Sequence, residues 1–134
     1  IGALRKEEGE EPEPDARKSY LPVLARLLEY WIADDYSNTE IDSFARFRSG
    51  VLDIVKSPPA VADGESLLLV SSGVPIALMA GEILGLDLER SLRFMRWIHN
   101  TSLSCFRVKD GVWEMISLNA VPHLADAPDL ATLI

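Results

Sequence analysis

Few side chains in this sequence are placed to do chemistry. The best placed are Ser71, Ser72 and Gly73, which follow the apolar run Leu67-Leu68-Leu69-Val70 and precede Val74-Pro75. A turn of small residues between a strand and a helix offers unpaired backbone N–H groups and the positive end of a helix dipole. Such a loop takes an anion, phosphate foremost, and the two serines add hydroxyl donors. The competing reading is an ordinary strand-to-helix turn with a serine cap. A serine nucleophile is a poorer fit. The nucleophile elbow needs glycine two residues before and two after the serine. Leu69 and Gly73 flank Ser71 at those positions, and Val70 and Val74 flank Ser72, so neither serine qualifies. A triad also needs a base, and the chain holds only His99 and His123.

The remaining reactive residues point nowhere further. Two histidines without a His-x-x-x-His spacing, and one cysteine, Cys105, give no zinc site. No metal and no cofactor is expected. His123, in Val121-Pro122-His123-Leu124, reads as a structural histidine beside a proline turn. Cys105 reads as a small core residue. Asn100-Thr101-Ser102 matches the glycosylation pattern, but no secretory signal accompanies it, so the match reads as accidental. Trp31, Trp97 and Trp113 are too dispersed for a stacking platform and read as core.

The elements that must position the loop follow from periodicity. Residues 1–16 form an acidic arm, with Glu7, Glu8, Glu10, Glu11, Glu13 and Asp15 crowded around Gly9, Pro12 and Pro14. Residues 17–134 read as part of one domain. Asp15 is the expected cap of a first helix, whose stripe is Leu21, Leu24, Leu27, Leu28, Trp31 and Ile32. A second helix is expected from Thr39, burying Ile41, Phe44, Phe47, Val51, Leu52 and Val55 and ending at Ser57-Pro58-Pro59. After Asp63-Gly64, the run from Ser66 to Val70 reads as a strand buried on both faces, as in parallel sheets. Pro75 is expected at the first position of the next helix, with Gly85 at its end. Another helix should start near Asp87 and reach Trp97. Two strands, Ser102–Val108 and Val112–Leu118, should form a hairpin through Lys109-Asp110-Gly111. The fold class is therefore α/β, yet one buried strand and one hairpin are too few strands. The missing ones come from a partner copy or from the same protein outside this sequence.

Composition bounds the rest. The chain has 134 residues, 48% of them hydrophobic and 25% charged, the balance of a globular protein. With 21 acidic against 13 basic side chains its net charge is -8, so it offers no basic footprint for nucleic acid and no attraction to anionic membranes. No apolar run reaches the ~18 residues of a membrane span. The single cysteine fits a reducing, cytoplasmic setting. The sequence starts at Ile1 rather than methionine, which fits a piece of something longer.

In order, Asp42-Ser43-Phe44-Ala45-Arg46-Phe47, then Leu67 to Gly73, then Ala77 to Leu86, then Asn100 to Ser104, Trp113, Asn119 and His123-Leu124 make up a pattern. From Asp42 onward the sequence resembles the carboxyl-terminal half of the histidine phosphatase superfamily, also called phosphoglycerate mutase-like. The resemblance implies a three-layer α/β/α domain with a mostly parallel sheet, here without its first strand or strands. It implies a small phosphorylated molecule or inorganic phosphate as ligand. It implies a phosphomonoesterase in which an Arg-His-Gly histidine is phosphorylated and then hydrolysed. No Arg-His-Gly is present, so no catalytic residue is identifiable in this segment. Ser72 stands where the second histidine of the family's Val-Ser-His-Gly-Gly pattern belongs, Val74 replaces its second glycine, and Gly50 stands where an arginine is usual. A non-catalytic binding or scaffold domain on the same fold is the alternative.

Overall fold

A computed structural model of the chain describes residues 23, 26–34, 40–62 and 64–133. It divides into two compact units, Ile1–Ala45 and Arg46–Ile134. The acidic arm, the Asp15 cap and Thr39 lie outside the described residues.

In the first unit, residues 26–32 form helix α1. It stops at Asp34, whose φ of 56° is left-handed. Trp31 meets Phe44 edge to face, with ring centroids 5.2 Å apart. Its indole N–H donates to the carbonyl of Asp42 at 2.8 Å. The second helix, α2, spans Phe44–Lys56 and starts later than the sequence pattern predicts. Ile41, expected in its buried face, is exposed.

In the second unit, Leu52 and Val55 are the buried residues of α2, with Phe47 and Val51 half-buried beside them. Ser57-Pro58-Pro59 ends it as expected. The largest correction follows. Residues 66–70 form no strand, and Leu67, Leu68, Leu69 and Val70 are 50%, 78%, 49% and 92% exposed. A parallel strand is buried only when neighbours pair with both its edges and helices cover both faces. Among the described residues the one sheet is a two-stranded antiparallel pair elsewhere in sequence, so the run has nothing to pair with. The predicted mostly parallel, three-layer sheet is not formed by these residues.

Helix α3 spans Gly73–Ile83 and packs on α4, Leu88–Met95. Its end is a complete Schellman motif. Gly85 has φ 67°, the Leu86 amide bonds the Gly81 carbonyl at 2.8 Å, and the Gly85 amide bonds that of Glu82 at 3.1 Å. Asp87 caps α4, accepting from the Arg90 amide at 2.8 Å. The two helices meet where side chains are smallest. Ala77, Ala80 and Gly81 are buried on α3, and Ser91 of α4 is 3% exposed. A Cβ placed on Gly81 would lie 1.9 Å from Ser91 Oγ and 2.6 Å from Ser91 Cβ. Ser91 tolerates burial because its hydroxyl donates to the Asp87 carbonyl at 2.8 Å.

The hairpin is as expected, with β1 at Leu103–Lys109 and β2 at Val112–Ala120. Asp110 and Gly111 have φ of 52° and 77°, the positive pair that a two-residue hairpin turn needs. Pairing is regular from Lys109↔Val112 to Phe106↔Met115 and then shifts, Cys105 facing Ser117. Ile116 is the extra residue of that bulge. Cys105, read as core, is exposed on β1. On the other face of β1 and β2, Trp113 meets Phe106 edge to face at 6.2 Å and donates its indole N–H to the Val55 carbonyl at 2.7 Å. That bond ties the hairpin to the last turn of α2. Trp97, read as core, is 66% exposed.

Two substitutions test this packing against the pattern read from sequence. Gly81→Ala should lower stability by ~1–3 kcal/mol, because Ser91 Cβ cannot rotate out of the way. That outweighs the up to ~1 kcal/mol gained from better helix propensity. Leu68→Ala should stay within ~0.5 kcal/mol, as for other exposed positions. Urea unfolding of both variants decides. A large loss at Leu68 with none at Gly81 would invert the account.

Candidate functional site

The loop that the sequence singles out sits directly before α3. Ser72 is the N-cap residue, with extended backbone at φ -115° and ψ 175°. Its carbonyl accepts from the Ile76 amide at 3.2 Å, which starts the helix. Its hydroxyl makes no capping hydrogen bond. The cause lies in the sequence. A capping serine accepts from the second or third helical amide. Because the helix begins at Gly73, Pro75 is its third residue and not its first, as expected from sequence. Proline has no N–H, so one of the two usual partners is missing. The position remains tolerable, since first-turn amides have no intrahelical acceptor in any case.

Among the described residues the amides of Gly73 and Val74 have no acceptor, and the Ser72 hydroxyl is uncommitted. Ser71 and Ser72 are exposed, while Gly73 is buried. No acidic side chain lies in the first turn of α3. The positive end of the dipole is thus not neutralised by a carboxylate of the helix itself. Two amides and two small hydroxyls form a neutral, donor-rich cradle. It can hold an oxyanion but cannot take or give a proton at neutral pH.

Neither histidine is committed to that cradle. Both belong to a polar knot at the end of the hairpin. Asn119, with φ 56°, accepts from the His99 amide at 2.8 Å and donates Nδ2 to the Trp97 carbonyl at 2.6 Å. The same Nδ2 lies 3.2 Å from His99 Nδ1. His123, in the short 3-10 turn Pro122–Leu124, pairs its Nε2 with Thr101 Oγ1 at 3.1 Å. The structural role expected of His123 holds, with a side-chain hydroxyl as partner. Asn100 is engaged as well, its Nδ2 donating to Thr132 Oγ1 at 3.0 Å. Among the described residues no group of three His, Cys, Asp or Glu could hold a metal ion. None of their helices is long and apolar enough to cross a membrane.

One residue that the sequence reading passed over stands out. Arg48 of α2 has a shielded Nε without a hydrogen-bond partner. The signal was available. Arg48 lies four residues before Leu52 and seven before Val55, on the stripe where an apolar residue is expected.

No curated protein and no solved structure matches the chain. The family model for the histidine phosphatase superfamily (branch 1) matches residues 9–121. That stretch takes in α2, the Ser71–Gly73 loop, the helix it opens and the whole hairpin, in the order the sequence pattern gave. This chain belongs to the histidine phosphatase superfamily, branch 1.

Proposed function

We propose that the chain contributes the phosphate-holding loop of a histidine phosphatase-type phosphomonoesterase acting on a small phosphorylated metabolite. Ser71, Ser72 and Gly73 are the phosphate-binding residues in this reading. The observation that carries it is the first turn of α3, where two amides and the Ser72 hydroxyl have no acceptor among the described residues. Family membership supplies the chemistry that such a loop would serve. The nucleophilic histidine lies outside these 134 residues, because the sequence holds no Arg-His-Gly and both its histidines serve the hairpin knot. In the same reading Ser72 occupies the place of the second histidine. The loop would then bond the phosphate without adding positive charge. The exposed run of residues 66–70 becomes a central strand once neighbouring strands pair with it.

A second reading keeps the fold and drops the reaction. A serine in place of a cationic histidine suits a domain that holds a phosphorylated molecule or a partner without turning it over. Strand-and-loop sequence encoded upstream separates the two: an Arg-His-Gly there supports the enzyme, and its lack supports the binding domain.

Two measurements test the proposal. The 134 residues alone should release no phenolate from a generic aryl phosphate. Turnover by them would overturn the placement of the nucleophile. Calorimetric titration with phosphate should show weak binding, and Ser72→His should tighten it most near and below pH ~6.5, where imidazole carries charge. Binding that Ser72→His leaves unchanged at pH 6 would remove Ser72 from the site.

A further inference from the structure

We propose that residues 121–133 form a strap that opens and closes as one unit while the hairpin stays folded, latched at the turn His99-Asn100-Thr101. The inference stands apart from the phosphate reading. Its basis is how the strap is held. None of residues 121–133 is buried. Its two short 3-10 turns, Pro122–Leu124 and Pro128–Leu130, satisfy themselves. The amides of Leu124, Ala125, Ala127, Leu130 and Ala131 each bond a carbonyl three residues back.

The hydrogen bonds that join the strap to other described residues converge on two neighbours. The Asn100 amide donates to the Thr132 carbonyl at 2.8 Å. Asn100 Nδ2 donates to Thr132 Oγ1 at 3.0 Å and reaches the Leu133 carbonyl at 3.4 Å. Thr101 Oγ1 pairs with His123 Nε2 at 3.1 Å. Beside them, His99 and Leu133 make a single antiparallel bridge. A segment with exposed backbone bonds and no buried apolar anchor opens at far lower cost than a core element. The latch also works against itself. Thr101 is β-branched and sits at φ 61°, a conformation that such residues disfavour. Breaking the latch frees Thr101 from it, so opening recovers part of that strain. The other side of the turn is tied to β2, because Asn119 bonds both the His99 amide and the Trp97 carbonyl. Release therefore parts the strap from the turn and leaves the turn on the hairpin.

The test is native-state hydrogen exchange of the full 134-residue chain, followed by NMR at rising urea below the unfolding transition. The amides of Asn100, Leu124 and Leu130 should exchange through one opening that hardly depends on urea, since it exposes little surface. The ladder amides of β1 and β2 should exchange more slowly and with a steep dependence. His123→Ala should speed exchange at Asn100, Leu124 and Leu130 alike by about fivefold, what one neutral hydrogen bond contributes. Thr132→Val, which removes the Oγ1 acceptor, should do the same, and both variants should leave the ladder amides unchanged. Ladder amides that accelerate by the same factor would show the strap unfolding only with the hairpin, which overturns the proposal. Acceleration at Asn100 without any at Leu130 would show turns that fray separately, and overturns it too.

Discussion

The second unit depends on a side chain that is not there. Gly81 gives α4 room to bring Ser91 against α3, at a distance that any Cβ would forbid. The small residues around it do the same on a lesser scale, with Ala77 and Ala80 at 0% and 2% exposure. A helix as apolar as α3 needs this cover, Glu82 being its one charged residue. Its two ends are then fixed by different means. At the far end, Gly85 and the Leu86 amide consume the last carbonyls. At the near end Pro75 withholds a donor and the Ser72 hydroxyl caps nothing. One terminus of the same helix is closed by a Schellman motif and the other is open. That asymmetry is what the proposed phosphate site rests on.

How much of this could be read from sequence depends on whether the signal was local. The hairpin was legible because Asp110-Gly111 encodes its own turn, independent of the rest of the fold. The α3 stop at Gly85 and the α4 start at Asp87 were legible for the same reason, since each is a cap made by residues within a turn of each other. Ser71, Ser72 and Gly73 were recognisable as a loop before a helix, although the helix starts at Gly73 and moves Pro75 to the third position.

What failed was non-local. A run such as Leu67-Leu68-Leu69-Val70 says that it can be buried, not that a partner is at hand, and here it stays exposed. Ile41 failed because α2 begins only at Phe44, which leaves residue 41 ahead of the helix and exposed. The Asn119 knot was invisible in advance, because its partners Trp97, His99 and Ser104 are distant in sequence. Arg48 fell between the two cases. Its position on the stripe was readable, but the missing acceptor was not.

The charge balance at the open terminus follows. Amides at a helix start contribute ~0.3–1 kcal/mol toward an anion when exposed. A serine hydroxyl adds a hydrogen bond without charge. In the proposed reading the loop orients a phosphate more than it captures one, and tight binding would require cations from elsewhere. The central claim is that the free donors of Gly73 and Val74 receive the oxyanion. Phosphate titration of the wild type and of Ser72→Asp, followed through these two amide signals, tests it most directly. A carboxylate at the cap would take the donors for itself. The account predicts saturable shifts at Gly73 and Val74 in the wild type and their loss in Ser72→Asp, together with a more stable helix. Equal phosphate responses in both proteins, or none at these amides in the wild type, would contradict it.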